Sequence, residues 1–181
     1  MVDLLLNEGC PVDQRDRHGY TALHLAAEND NVAVAELLLG WKPRGAQIQQ
    51  IETRNKDECG PLAWAAYKGS FQLVTLLIRS GADIKRRGAN GKTPFLAAAA
   101  YSFSISKTYW LPILLRSVTA QRKMDILRFL VEAGADPHDV DNAGKGAQKL
   151  LFGRRWYFHD TESDLRNRQL VARYLEGLSL L

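Results

Sequence analysis

The sequence predicts an all-α protein, a solenoid of stacked helix–turn–helix units, and three observations support this prediction. Similar segments recur along the chain, with starts at Asp16, Asn55, Gly88 and Asp141. Signals for a helix start follow these points, and apolar residues at helical spacing come next. Glycines then stand where such helices would end. A helix pair with one large apolar side buries that side only by stacking on its neighbours, and repeated stacking gives a solenoid.

Composition restricts the function classes. The chain has 181 residues, 46% of them hydrophobic and 24% charged, which is typical of one water-soluble domain and excludes a disordered or membrane-embedded chain. Lys and Arg number 24 against 20 Asp and Glu, and this mild excess is spread along the sequence. Cys10 and Cys59 are far apart, so neither a disulfide framework nor a zinc site is indicated. We therefore expect an intracellular protein, cytoplasmic or nuclear.

The spacing of the starts divides the chain. They are 39, 33 and 53 residues apart, against a period of about 33 for short helical repeats. The first full unit is therefore lengthened slightly, and the third carries a large insertion. We expect one domain over 1–181, with a partial unit at 1–15, units at 16–54 and 55–87, a unit at 88–140 with an insertion at 102–121, and a degenerate capping unit at 141–181.

Each full unit begins its first helix with a recognisable signal. Thr21 and Thr93 stand where a hydroxyl accepts a bond from an amide of the first helical turn. Pro61 and Pro94 stand at a first helical position, where the missing N–H costs nothing. Pairs of alanines follow and let a neighbouring helix approach closely. These segments are therefore predicted to be the first helices of their units.

The second helices are bulkier. A predicted inner face in the second unit consists of Phe71, Val74, Leu77 and Ile78, and Gly81 follows as a C-terminal residue. A polar closing helix is predicted near the C-terminus, with an inner side formed by Leu165, Leu170, Val171, Tyr174 and Leu175. A polar terminal unit is what a solenoid needs for solubility.

The segments "TALHLAA" (21–27) and "SGAD" (80–83) resemble the ankyrin repeat family, whose pattern is a turn, a T-P-L-H-x-A helix start, a second helix and a G-A-D loop. The resemblance covers most of the chain. It implies that His24 is structural, with its ring hydrogen-bonded to turn groups of an adjacent repeat. The positions equivalent to His24 in the later units hold Ala63, Leu96 and Lys149. A histidine bond between adjacent repeats is therefore expected only once, and the other junctions between repeats are expected to be looser.

The resemblance also implies a protein-binding module that acts through its concave face, where the turn tips and the starts of the first helices lie. The aromatic insertion is expected to contribute. The candidate partner-binding residues are Arg17, His18, Tyr20, Glu28, Asn29, Lys56, Asp57, Cys59, Tyr67, Lys68, Asn90, Lys92, Tyr101, Tyr109, Trp110, Asn142 and Lys145. Their mixture of aromatic and charged groups is typical of protein interfaces.

Two segments depart from the repeat pattern. The insertion is too apolar and aromatic to be disordered, and it either adds to the core or walls a groove; Pro112 is expected to begin a helix that extends the second helix of this unit backwards. The partial unit at 1–15 exposes apolar residues. It belongs either to the C-terminal part of a longer array or to a face that packs on another chain, including a second copy.

The alternative class is an enzyme or small-molecule-binding protein with a pocket between the 102–121 insertion and the concave face. The sequence has no HExxH, GxSxG or glycine-rich phosphate loop, and no cofactor, metal or catalytic residue is implied. Nucleic acid is a third class. Basic runs at 85–87, 122–123 and 154–155 lie in different repeats, which favours solvated charge, with a nuclear import signal at 85–87 as the other interpretation.

Overall fold

A computed structural model describes residues 1–41, 50–56, 58–88, 90–100, 113–152 and 162–178. The described residues form helices and no strand, which confirms the all-α prediction. The helices are α1 (Val2–Asn7), α2 (Ala22–Glu28), α3 (Val32–Gly40), α4 (Pro61–Lys68), α5 (Phe71–Arg79), α6 (Pro94–Ala100), α7 (Ile113–Glu132), α8 (Ala147–Phe152) and α9 (Glu162–Leu178), with a short 3₁₀ turn at Gln50–Glu52.

The helices form two layers. The first helices of the units, α2, α4, α6 and α8, pack one on the next. The second helices, α3, α5, α7 and α9, do the same, and α1 packs on α3. Leu23, Leu62 and Phe95 occupy the same position of successive first helices and are almost completely buried. The core is therefore continuous along the array, as expected where each unit hides its apolar side against its neighbours.

Alanines let the first helices pack closely. Ala65, Ala66 and Ala98 have no exposed surface, and Ala26 and Ala27 are nearly as buried. A small side chain at these positions brings the backbones of neighbouring helices together and loses no rotamer entropy on burial. The alanine pairs in the sequence thus mark the contact between first helices.

Four turns precede the first helices and share one hydrogen-bond pattern. The N–H groups of Asp16, Asn55, Gly88 and Asp141 each donate to the carbonyl four residues later, at 2.9 to 3.1 Å. The residue three places later returns a bond to the first carbonyl; these residues are Gly19, Glu58, Gly91 and Gly144. The four segments found by sequence similarity therefore begin with equivalent backbone turns.

Neighbouring turns touch each other through their backbones. The N–H of Lys56 donates to the His18 carbonyl at 3.0 Å, and the N–H of Asn142 donates to the Asn90 carbonyl at 3.0 Å. Gly19 has φ +79°, and a Cβ there would lie 2.9 Å from the Lys56 nitrogen. This position needs glycine both for its left-handed backbone and for the approach of the next turn.

Glu58 is the exception at this turn position. It has φ 52°, whereas Gly19, Gly91 and Gly144 are glycines with positive φ. A side chain in the left-handed region costs about 1–2 kcal/mol, and the Arg54–Glu58 ion pair at 3.2 Å is too exposed to compensate fully. We expect Glu58→Gly to raise the free energy of unfolding by about 0.5–1 kcal/mol, measured by urea denaturation.

The control is Glu58→Ala, which removes the same ion pair and keeps a Cβ in the left-handed conformation. The alanine variant should be no more stable than the original chain. Equal stability of the glycine and alanine variants would show that the backbone of this turn is not strained.

Two arginines tie consecutive turns together. The Arg15 guanidinium donates to the Arg54 carbonyl at 2.8 Å, and the Arg87 guanidinium donates to the Val140 carbonyl at 2.7 Å. Arg15 and Arg87 occupy the same position in their units, directly before a turn, and both carbonyls directly precede the next turn. Arg15 therefore adds to His24 at the first junction, and Arg87 supplies a side-chain bond at the last junction, while the expectation of looser junctions away from His24 stays a prediction.

Helix α7 is continuous from Ile113 to Glu132, which confirms the predicted backward extension of this second helix. The extension changes the role of position 123. The equivalent Asn31 and Ser70 precede their helices, whereas Lys123 lies inside α7 and is 1% exposed. Burial lowers the pKa of the Lys123 amine well below its usual value, and the nearby positive charge of Arg168 lowers it further.

Two side chains predicted to face inwards do not. Phe71 is 37% exposed at the first position of α5, where it makes an edge contact with Phe129, and Leu73 takes the buried position. Leu170 is 50% exposed, because the inner side of α9 follows Arg168, Val171, Ala172 and Leu175 at helical spacing. Val171 and Leu175 are buried as predicted, Tyr174 is half-buried, and the side chain of Leu165 lies outside the described residues.

Candidate partner-binding face

His24 joins the first two units from inside the fold. Its side chain is completely buried. The Thr21 N–H donates to Nδ1 at 3.3 Å, so the ring proton lies on Nε2, which donates to the Cys59 carbonyl at 3.0 Å. The ring thus closes the N-terminus of α2 and holds the following turn, which is the structural role that the resemblance implies.

The environment of His24 makes stability depend on pH. Burial lowers the pKa of His24, and the bond to the Cys59 carbonyl only partly offsets this. The folded-state pKa then lies below the unfolded value of about 6.5, so the unfolded chain binds more protons in the interval between them. We expect the free energy of unfolding to fall as the pH drops below about 6.5 and to stop falling from this cause below the folded-state pKa.

His24→Gln is the control for this pH dependence, because a glutamine side chain accepts the Thr21 N–H bond without titrating. Urea denaturation at several pH values should show a shallower slope for the glutamine variant between mildly acidic and neutral pH. A slope unchanged by the substitution would assign the pH dependence to other groups. The Asp16 carboxyl contributes only at lower pH: burial opposes its ionisation, but N–H bonds from Tyr20 and His18 lower its pKa overall.

An aromatic cluster lies beside this buried histidine and consists of Tyr20, Trp64 and Tyr67. The rings of Trp64 and Tyr67 stack with centroids 5.6 Å apart, and Tyr20 meets Trp64 edge-on at 5.5 Å. All three side chains are half-buried, so each keeps a solvent-facing part. The turn of the first unit supplies Tyr20, and α4 supplies the other two.

Charges border the aromatic cluster on one side. The Lys68 Nζ lies 5.0 Å from the centroid of the Trp64 ring and 3.2 Å from a carboxylate oxygen of Glu28. A cation over the face of an indole ring is attracted by the ring quadrupole. Four predicted residues, Tyr20, Glu28, Tyr67 and Lys68, are thus brought together around Trp64.

Sequence reasoning missed Trp64. A signal was present, since Trp64 and Tyr67 are three residues apart and therefore share one side of a helix. The indole Nε1 of Trp64 is inaccessible to solvent and has no hydrogen-bond acceptor among the described residues.

The turn tips carry seven further predicted residues. Arg17, His18, Lys56, Asn90, Asn142 and Lys145 are exposed, and Lys92 is half-buried. The aromatic cluster and the tips are connected through Tyr20, which belongs to the first turn.

Two predicted residues have structural bonds. The Asn29 amide donates to the Leu25 carbonyl at 2.8 Å at the end of α2, and the Cys59 N–H donates to the Asn55 side chain at 2.9 Å. Four further predicted residues, Asp57, Tyr101, Tyr109 and Trp110, lie outside the described residues, as does the pocket postulated beside the insertion.

The basic run at 85–87 is largely engaged within the fold. Arg86 pairs with Glu52 at 2.9 Å, and Arg87 contacts Asp139 in addition to its carbonyl partners. A nuclear import signal requires basic side chains accessible to a receptor. Here Arg86 and Arg87 are held by intrachain bonds, although Arg87, like Lys85, is exposed.

Comparison with known protein families matches two segments of the chain. Residues 1–52 match a family model described as ankyrin repeats in three copies, and residues 57–89 match the model for a single ankyrin repeat. The chain belongs to the ankyrin repeat family. The stacked helix pairs and the four equivalent turns are consistent with this assignment.

Several curated proteins resemble this ankyrin repeat chain. Ankyrin repeat protein OPG189 of variola virus is 30% identical over 111 residues, which cover 60% of this chain and 19% of that protein. B-cell lymphoma 3 protein homolog of Mus musculus is 29% identical over 151 residues, covering 75% and 33%. NF-kappa-B inhibitor epsilon of Homo sapiens is 35% identical over 97 residues, covering 51% and 19%. The chain spans a fifth to a third of the length of these relatives.

The repeats and these relatives support a protein–protein interaction module. Within the described part of this ankyrin repeat chain, none of the helices has the length and the apolar character that crossing a bilayer requires.

Proposed function

We propose that this chain binds a protein partner through the concave face lined by its first helices and turn tips, beside the 102–121 insertion. The observation that carries the proposal is the aromatic cluster of Tyr20, Trp64 and Tyr67. Its rings are half-buried in a turn and a first helix, so their positions are fixed before binding and parts of the rings are accessible.

The composition of this face supports the proposal. Tryptophan, tyrosine and arginine dominate the energetics of protein interfaces, because they bury large areas with few rotatable bonds. Lys68 and Glu28 give the cluster a polar rim, and the exposed side chain of Leu25 adds apolar area at the position equivalent to Trp64. One relative is named as an inhibitor of NF-kappa-B, so a related protein acts on another protein.

The test is a pulldown with three variants of the full chain. Tyr67→Ala with Lys68→Ala alters the proposed face, Tyr109→Ala with Trp110→Ala alters the insertion, and Glu36→Ala with Gln72→Ala alters exposed positions of the second helices. We expect the first two variants to lose the proteins that the original chain captures, and the third to retain them. Circular dichroism checks that every variant is folded.

Capture that survives the first two variants and is lost in the third would place the interface on the second helices and contradict the proposal. The unit boundaries given by the sequence, from the partial unit at 1–15 to the capping unit at 141–181, are part of the same proposal. These boundaries determine which turn and which first helix of each unit belong to the proposed binding face.

We also propose that the chain associates with a second copy through α1. Leu4 and Leu5 are 67% and 49% exposed on this helix. Apolar groups left uncovered in this way favour packing against another apolar surface. Leu4→Lys with Leu5→Lys should shift sedimentation velocity from dimer to monomer, whereas a chain that is monomeric at every concentration would contradict this association.

A further inference from the structure

An asparagine that is directly followed by glycine lies at the tip of the third turn. Asn90 is exposed there, and Gly91 has φ +71°. Every other asparagine of the chain precedes a residue with a side chain; these are Asn7, Asn29, Asn31, Asn55, Asn142 and Asn167. Asn90–Gly91 is therefore the one asparagine–glycine pair in the sequence.

Asparagine is a chemically labile residue, and its reaction depends on the residue that follows it. The backbone nitrogen of the following residue attacks the side-chain carbon Cγ and loses its proton. The side-chain nitrogen leaves with that proton as ammonia, and a cyclic imide, a succinimide, remains. Water then opens the ring. Cleavage of the new bond between Cγ and the nitrogen gives aspartate, whereas cleavage of the original peptide bond gives isoaspartate, whose main chain runs through Cγ.

Two features of the Asn90–Gly91 pair favour this reaction. Gly91 has no Cβ, so no side chain crowds the nitrogen that attacks Cγ. Asn90 is exposed, so water reaches both the side chain and the ring that forms from it. Other asparagines lack one of these features: Asn31 precedes the β-branched Val32, and Asn55 is buried.

One hydrogen bond of the turn slows the attack. The Gly91 N–H donates to the Gly88 carbonyl at 2.8 Å, so the nitrogen reaches Cγ only after this bond has opened. Local opening of an exposed turn costs less free energy than unfolding of the whole chain. The reaction is therefore expected in the folded chain, at a lower rate than in the unfolded chain.

We propose that Asn90 is a site of spontaneous modification, which converts it through a succinimide to aspartate and isoaspartate. The aspartate product keeps the backbone of the turn and adds one negative charge to its tip. The isoaspartate product lengthens the main chain by one carbon atom and takes the α-carbonyl out of the peptide bond. That carbonyl accepts the Asn142 N–H at 3.0 Å, so isoaspartate weakens the backbone bond between the last two turns.

The experiment incubates the full chain at physiological temperature, at neutral and at mildly alkaline pH. Peptide mapping by mass spectrometry follows each asparagine, and labelling with protein isoaspartate methyltransferase identifies isoaspartate. We expect the product to accumulate first at Asn90, and faster at alkaline pH, because the attacking nitrogen must lose its proton. Asn29 and Asn142 are internal controls, since both are exposed and precede residues with a Cβ. Incubation in urea should accelerate the reaction at Asn90, because the bond to the Gly88 carbonyl is then absent.

Two variants separate the effects of the products. Asn90→Gln closes only a larger, less favourable ring, so this variant should keep its midpoint of urea unfolding during incubation. Asn90→Asp carries the charge of the aspartate product on an unchanged backbone. The incubated original chain should therefore unfold at a lower urea concentration than Asn90→Asp, because only the incubated chain contains isoaspartate.

Modification of Asn90 no faster than that of Asn29 and Asn142 in the folded chain would overturn the proposal. An incubated chain that contains isoaspartate at residue 90 and is as stable as Asn90→Asp would overturn its second part, the weakening of the last junction. The proposal does not depend on the proposed function, although Asn90 belongs to the proposed binding face and both products change the chemistry of that face.

Discussion

Phe95→Ala should lower the free energy of unfolding by about 3–5 kcal/mol, the largest effect we expect from one substitution outside the turns. Phe95 is completely buried in α6, which packs against α4, α7 and α8. Alanine would remove most of a ring from the junction of two units, and helices fixed on both sides relax little to fill the cavity. Urea denaturation measures the loss.

Phe71→Ala is the matched control, because it removes the same ring from a position that is 37% exposed. Its main aromatic contact is an edge contact with Phe129 at a centroid distance of 5.7 Å. We expect a loss of about 1 kcal/mol. Similar losses for the two phenylalanines would mean that burial between units does not dominate the stability of this chain.

His24→Ala should cost about 2–4 kcal/mol. The substitution removes a completely buried ring and leaves the Thr21 N–H without its acceptor on His24, and the Cys59 carbonyl keeps the Asn55 N–H but loses the bond from the first unit. Each unsatisfied buried group costs about 1–3 kcal/mol, and the cavity adds to this. Because the two bonds belong to different units, the loss should appear as a lower midpoint of unfolding in urea.

His18→Ala serves as the control for this second prediction. His18 is exposed in the preceding turn, and it holds the next turn through its backbone carbonyl, which alanine retains. The expected change is within about 0.5 kcal/mol. A His24→Ala variant as stable as His18→Ala would show that the buried ring does not fasten the two units.

The sequence predicted those parts of the fold that repeat. The turn starts at Asp16, Asn55, Gly88 and Asp141 were found because each turn uses the same backbone bonds and therefore similar residues. The role of His24 followed from its place in the family pattern. Positions that depend on neighbours were harder: Phe71 and Leu73 both suit an apolar helix, and only the direction from which α3 and α7 approach decides which one is buried.

Parts of the candidate site escaped sequence reasoning for physical reasons. Trp64 stands at a position held by Leu25 and Ala97 in the neighbouring units, so no shared residue type marks it, and its role depends on packing against Tyr20 of the previous unit. Arg15 and Arg87 donate to backbone carbonyls. Every residue has such a carbonyl, so no particular residue type in the sequence marks the acceptor. The bonds that the turn carboxylates accept from backbone N–H groups also required the structure.

The central claim is that helix stacking and turn-to-turn bonds hold the fold, so that the side chains of the turn tips are available for recognition. The direct test is the free energy of unfolding of the chain with Arg17, Lys56, Lys92 and Lys145 all replaced by glutamine. We predict a value within about 0.5–1 kcal/mol of the original, because these side chains form no salt bridge among the described residues. A loss comparable with that of Phe95→Ala would contradict the claim, since the tips would then be part of what holds the units together.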